Sequence, residues 1–375
     1  MNTALKITQG KILVYYIFDL ADSVEMEILR QKWTGRSTAI KLVSRRSSPS
    51  YLQFDTEPLL LPMGQQKLQL TPDRWLDAEV RAKVFEFGVV SIAWELPFPD
   101  DWDSAVEDAQ LYIDNQMIAD ESEKLLEDLM AALQPALVKP YAEHMREDYT
   151  IFYVYGFKDP NMVSSDAILK ELGADIAGMV RGETKTLAES ERQSILDHKI
   201  TYFEDDLVVV AWNSSFIYDP EGSSEHVDIL EFANVELLEL RSYDKLLDDQ
   251  LESIYDEVEN LPKTWVGLLK SPHQPTIQKL MTLLLDVTEL TDRIENTLKI
   301  IGDLYCARIY RKIATLLQLR DWQARVDGKL ESARQIYDTL NSEMQARRST
   351  IMEITIILLI AVEIVLVMIP AAVPH

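Results

Sequence analysis

One cysteine, Cys306, and twelve glycines are all that a chain of 375 residues contains of either type. A lone thiol excludes an intramolecular disulfide framework and any multi-cysteine zinc site, and its place inside a helical repeat predicts a small buried core residue. The glycines never take the Gly-x-x-x-x-Gly-Lys spacing of a phosphate-binding loop. Gly173-Ala-Asp-Ile-Ala-Gly178 has a superficial likeness to a nucleotide turn, but no strand leads into it and the glycine pattern is wrong. The five histidines include no His-x-x-x-His or His-x-x-Glu-His pair, which removes zinc sites of that kind. A Gly-x-Ser-x-Gly nucleophile elbow is missing as well. The expectation is a chain with no catalytic residues, no cofactor and no metal site.

Positive charge is also scarce. Against 37 Lys and Arg stand 62 Asp and Glu, a net charge of −25. The deficit is uneven: residues 299–350 are net +4, whereas residues 1–298 carry about −27. An acidic body argues against direct nucleic-acid binding, which draws its affinity from basic patches on phosphate. Lys41–Arg46 is the one short basic candidate. A mildly basic stalk suits an anionic bilayer that would repel the acidic body. Met1-Asn-Thr-Ala-Leu-Lys-Ile-Thr8 has no basic stretch leading into an apolar run, so no cleaved secretory signal is expected, and it does not read as a transit peptide.

What the chain does have is a long apolar run near its end. Ile351–Ile369 is nineteen residues of mostly Ile, Leu, Val and Met, free of Gly and Pro, and Pro370 closes it. As a helix it measures about 28 Å, close to the hydrocarbon thickness of a bilayer. It reads as a single transmembrane anchor, with a buried core helix as the lesser alternative. Arg347 and Arg348 precede it and only His375 follows, so the positive-inside rule places the large N-terminal part in the cytoplasm. Two carboxylates interrupt it. Glu353 lies at the edge beside the arginines and reaches the headgroups. Glu363 is deeper, where an ionised carboxylate is costly unless it is neutralised, paired or turned to another helix. It either joins anchor helices in an oligomer, lines an ion pathway, or is a neutral side chain bonded to its own helix.

Taken in order, the first third reads mainly as strands. Ala4–Gln9 and Lys11–Asp19 flank Gly10, and Asp22 caps a predicted short helix, Ser23–Trp33. Further strands are expected at Thr38–Ser44, Tyr51–Phe54 and Lys67–Leu70, and the strongest signal is Val84–Leu96, where Gly88 marks a bulge or tight hairpin bend. Asp100 to Leu133 reads as one long amphipathic helix, Tyr149–Phe157 as a strand, and 159–197 as short helices broken at Pro160, Gly173 and Gly182. Ile200–Phe203 and Leu207–Trp212 make a last hairpin, and Asp219–Ser224 is the clearest linker. Strand, helix, strand in that order predicts an α+β or α/β layer. After it everything is helical: His226–Glu259, then heptad-spaced apolar residues from Leu280 to Leu316, resuming from Val326 to Met344. The architecture expected is α+β: a mixed-sheet domain with packed helices (1–220), a helical-hairpin or coiled-coil stalk (225–350) and the anchor (351–369).

Carboxylates are abundant enough that no pair stands out. Asp248, Glu252, Asp256 and Glu259 share a helix face and read as its solvated side rather than as a cation site. Asp100, Asp101 and Asp103 suit a helix N-terminus. Arg308, Arg311 and Lys312 form a basic cluster open to a partner, lipid or solvent.

Phe85-Glu-Phe-Gly-Val-Val-Ser-Ile92, Leu230-Glu-Phe-Ala-Asn234 and the ending Met352–Leu366 are similar in kind and order to the YagE family, which includes the "required for meiotic nuclear division" proteins. That resemblance implies a membrane-anchored protein without established catalysis and offers no catalytic residues. Eukaryotic members of that family are associated with the mitochondrial inner membrane and organellar translation; without a transit peptide this chain looks like a bacterial member. Together these readings predict a tail-anchored, oligomeric, non-enzymatic scaffold of the cytoplasmic membrane. Its contacts would be the lipid bilayer, further copies of itself through stalk and anchor, and an unidentified protein partner. The alternative is a homo-oligomeric ion channel with one span per subunit.

Overall fold

The computed structural model describes residues 6–33, 38–39, 56–159, 161–162, 164–259, 278, 280–282, 285 and 304–368. The chain divides into two compact units, Met1–Ser242 with Arg293–Trp322, and Tyr243–Asp292 with Gln323–His375.

The first unit is built on strand β1, Ile7–Val24, whose run from Ile12 to Ala21 is buried at every position. A strand covered on both faces needs no polar alternation and belongs at the centre of a sheet. Around it, the described residues form a sheet of nine strands in the order β2-β3-β4-β5-β1-β6-β9-β8-β7. The other strands are β2 (Thr38–Ala39), β3 (Leu59–Thr71), β4 (Arg74–Val84), β5 (Val89–Pro97), β6 (Leu137–Phe157), β7 (Lys199–Ile200), β8 (Leu207–Val210) and β9 (Ser214–Tyr218). Neighbours are antiparallel except β6 and β9, which run parallel from Thr150–Ser214 to Val154–Tyr218.

Successive strand residues face opposite sides. Even-numbered Ile12, Val14, Tyr16, Phe18 and Leu20 of β1 join the main apolar core with Trp102, Tyr112, Ile118, Leu126, Ile168 and Ile176. Those partners come from α2 (Trp102–Asp108), α3 (Gln116–Leu133), α4 (Ser165–Arg181) and the turn between α2 and α3. Shorter α1 (Met26–Lys32) and α5 (Glu189–Leu196) complete the helices before α6 (Glu225–Glu259). Odd-numbered Leu13, Tyr15, Ile17 and Asp19 are equally buried. They lie on the face where Lys83 of β4 bonds Asp228 and Glu231 of α6. The α+β class expected from the sequence therefore holds.

Several expected elements change on folding. Asp22 does not cap a helix; β1 continues to Val24 and α1 starts at Met26. The expected helix from Asp100 to Leu133 is two helices, because Asp114 adopts a left-handed φ of 50° and Asn115 caps α3 through Met117 N. Gly173 lies inside α4, whereas Gly182 ends it with φ 64°. Strand β6 begins twelve residues before Tyr149, and β9 follows the hairpin expected to be last. Gly88 does mark a tight bend, the turn between β4 and β5, with φ 89°. The expected strands beyond Ala39 and at Tyr51–Phe54, and most heptad positions between Leu280 and Leu304, lie outside the described residues.

In the second unit, Leu251 and Ile254 of α6 pack with Leu280 and with Ala333 and Leu340 of α8 (Leu319–Met368), with Ile336, Tyr337 and Met344 around them. Lys329 Nζ ties the pair of helices at 2.6 Å from Asp244 Oδ1 and 2.7 Å from Asp248 Oδ2. Helix α7 (Leu304–Leu316), which belongs to the first unit, ends at a break where Gln318 takes φ 54°. From Leu319, α8 runs fifty residues without interruption through Ser349 and Thr350.

Candidate functional site

Two regions of the described structure hold the ionisable groups of interest: the layer under α6, where they are gathered, and the C-terminal part of α8, where they are few.

The layer under α6 forms where Asp19 of β1 and Lys83 of β4 are buried on the second face of the sheet. Lys83 is only 8% exposed. Its Nζ lies 3.1 Å from Asp228 Oδ1 and also bonds Glu231. Burial by itself would lower the Lys83 ammonium, but the Glu231 and Asp228 carboxylates beside it hold it above the ordinary lysine range. Burial and the Glu231 charge push the neighbouring Tyr15 hydroxyl up as well, so it stays neutral.

At the far end of β9, Asp219 is 1% exposed and organises the loop into α6. It accepts from Glu221 N at 2.9 Å, Ser223 N at 3.0 Å and the Tyr153 hydroxyl at 3.1 Å. His226 Nδ1 is 3.7 Å from the same carboxylate, and the His226 ring meets Tyr305 edge-on at 5.2 Å. Further along, the Cys306 thiol lies 3.8 Å from Glu225 Oε2, and the Tyr310 hydroxyl donates to Glu236. Burial raises the Glu236 carboxyl to about 8, against the opposing pull of the Tyr310 bond. Burial likewise raises Asp19 to about 7, with Ser242 pulling down and Asp22 pushing up.

This layer ties the start of α6 to the sheet and acts as a lock. Lys83 is held by two carboxylates, the Tyr153 and Tyr310 hydroxyls donate to Asp219 and Glu236, and the Cys306 thiol faces Glu225. Among the described residues no group of three or more His, Cys, Asp or Glu is placed to hold a metal ion. The sequence held a signal for it that periodicity arguments pass over: Asp19 interrupts the apolar run of β1, Asp77, Glu79, Arg81 and Lys83 recur at every second position of β4, and Glu231 and Glu236 fall among the buried positions of α6.

The residues singled out from the sequence, Arg347, Arg348, Glu353 and Glu363, all lie on α8. They are strung along it rather than gathered. At 1.5 Å per residue, Arg348 and Glu353 are about 7.5 Å apart along the axis and the two glutamates about 15 Å. Arg348, Glu353 and Glu363 are exposed, as is every residue from Ile351 to Leu366. Among the described residues this is one helix long and apolar enough to cross a membrane.

A family described as "Uncharacterized protein MJ0711, N-terminal domain" matches residues 9–225, from within β1 to the first residue of α6. The Uncharacterized protein MJ0711 of Methanocaldococcus jannaschii is 27% identical over 244 residues, which is 65% of this chain and 72% of that protein. No solved structure matches. These findings overturn the resemblance to the YagE family, since the match falls elsewhere. The three stretches behind that resemblance are a glycine-bent hairpin, an amphipathic helix and an apolar helix. Any chain with these elements repeats such patterns, so they carry little family information.

Proposed function

The chain belongs to the family of the MJ0711 N-terminal domain, and we propose that it is a non-enzymatic adaptor held on a membrane by the apolar end of α8. One observation carries this reading: sixteen consecutive residues, Ile351–Leu366, stand exposed on a helix that continues unbroken from a packed segment. Burying apolar side chains gains about 25 cal/mol for each Å² withdrawn from water, so such a surface calls for a cover. Its length suits a bilayer, and Arg347 and Arg348 at its start favour, by the positive-inside rule, a sheet domain on the cytoplasmic side of an inner membrane.

In this reading the protein has three working parts: the acidic sheet domain (1–220) that meets a protein partner, the helical stalk (225–350) and the span (351–369). The heptad-spaced residues of the stalk and Glu363 in the span would associate copies of the chain into an oligomer. The ion-channel alternative rests on Glu363 alone. Native mass in mild detergent tests the assembly for the wild type, Glu363→Gln and Glu363→Leu. A defined oligomer that Gln preserves and Leu breaks is the expected result. A monomer in all three variants rejects the oligomer and the channel together. Ion flux into liposomes carrying the purified oligomer would reject the adaptor in favour of the channel.

A further inference from the structure

A cleft of about 430 Å³ opens on the sheet domain, lined by Arg181, Glu183, Leu187, Glu191, Trp212 and Asn213. It lies away from the layer under α6, and nothing in the lock or the anchor accounts for it. One wall is the tight turn between β8 and β9. Here the chain holds a large aromatic residue out to solvent, with Trp212 46% exposed.

That turn is fixed from beneath. Ala211 N donates to Ser214 O at 2.8 Å and Thr150 N to Asn213 O at 3.1 Å. The buried Tyr149 hydroxyl sits 3.2 Å from Ala211 O and 2.8 Å from Ser214 O, and Ser214 Oγ donates to Val180 O at 2.6 Å. The opposite wall is the end of α4. Gly182, at φ 64°, lets Glu183 N bond Gly178 O at 3.0 Å, which sets where Glu183 leaves the helix. Arg181 is already committed to Glu191 at 2.8 Å. Among the described residues the Glu183 carboxylate, the Asn213 amide and the Trp212 indole N–H have no hydrogen-bond partner. The lining therefore carries one cation against two carboxylates, and the uncommitted charge is negative.

Trp212 and Glu183 line the same cleft, and an indole with a carboxylate can receive a planar cation: the ring attracts the charge through its face while the carboxylate accepts two parallel N–H bonds. An ammonium satisfies the first and not the second. The geometry points to a binding site for a guanidinium group, presented by an arginine side chain in a basic segment of a partner protein. Trp212 stacks on the guanidinium, Glu183 accepts from it, and Asn213 bonds the adjoining peptide. The overall charge of −25 favours encounter with a basic segment. This gives the partner of the proposed adaptor a chemistry and takes only its biological meaning from that reading. Binding is read on purified protein and membrane attachment by extraction, so either can fail without the other.

The test is calorimetric titration of the full chain in detergent micelles with N-acetyl-Gly-Arg-Gly amide at physiological salt. The expected result is saturable one-to-one binding, weakened at least tenfold by Trp212→Ala and by Glu183→Gln and largely kept by Trp212→Phe. A peptide with citrulline for arginine should not bind, and one with lysine should bind several-fold more weakly. Both substituted residues are exposed, and unchanged melting temperatures would show that the variants fold. Equal affinity in Trp212→Ala, or for the citrulline peptide, would overturn the site. Tighter binding of free arginine than of the capped peptide would overturn the assignment to a protein segment.

Discussion

Lys83 is the residue whose loss the fold should feel most. Removing its ammonium leaves Glu231 and Asp228 without their shared cation in a largely buried layer. Breaking a buried pair in this way typically costs about 3–5 kcal/mol, well above the loss from an exposed pair. Lys83→Met should therefore lower the urea midpoint sharply, while Lys124→Met, which breaks an exposed pair with Glu121, should leave it nearly unchanged. Equal effects of the two substitutions would contradict the lock. Glu236 makes a second prediction, in pH. Its carboxyl ionises at its ordinary value of 4.5 in the unfolded chain and at about 8 in the fold. Between those values the folded chain keeps a proton that the unfolded chain has released. Stability contributed by this group is thus complete below pH 4.5 and lost as pH rises towards 8, at up to about 1.4 kcal/mol per pH unit. Asp19, raised to about 7, acts with the same sign. Glu236→Gln keeps a neutral partner for Tyr310, so its unfolding free energy should fall less steeply over this range and exceed that of the wild type at pH 8. Parallel profiles would show that Glu236 is not buried as described.

At the level of elements, the β4–β5 turn has the least tolerance. A Cβ on Gly88 would lie 1.7 Å from Ala21 O, and the φ of 89° is itself costly for any residue but glycine. Gly88→Ala should prevent this hairpin from seating on β1, read as loss of soluble full-length protein or of a cooperative thermal transition. Ser164→Ala removes the side chain that accepts from Ala167 N at the start of α4 and should cost about 1 kcal/mol in thermal unfolding. Normal stability in either variant would contradict the local geometry described. Elements with strong periodicity were legible from residues alone: the Gly88 bend, α6 and the unbroken α8. The break at Asp114-Asn115 was written in turn-forming residues, but apolar spacing runs across it and masks it. The first part of β6 was hidden because Pro140 and the exposed charged residues around it resemble a loop, and its pairing with the end of β1 is irregular. Strand β9 is five residues, two of them Ser, and it becomes a strand through its parallel pairing with β6. The layer under α6 escaped for the same reason: which carboxylate meets Lys83 depends on residues some 145 positions away.

At the scale of the whole molecule, an acidic family domain shares its chain with a helix whose last described turns are apolar and exposed. Residues 299–350 are net +4 and residues 1–298 about −27, a charge split that in the proposed reading would repel the acidic part from an anionic surface. Alkaline carbonate extraction of membranes from cells producing the full chain tests this most directly, with a companion variant carrying Leu358→Arg and Ile360→Arg. The wild type should stay in the pellet and be released by detergent, whereas two arginines near the centre of the span should shift the chain to the supernatant. Release of the wild type by carbonate alone would contradict the membrane anchor and leave α8 as a helix awaiting a protein cover.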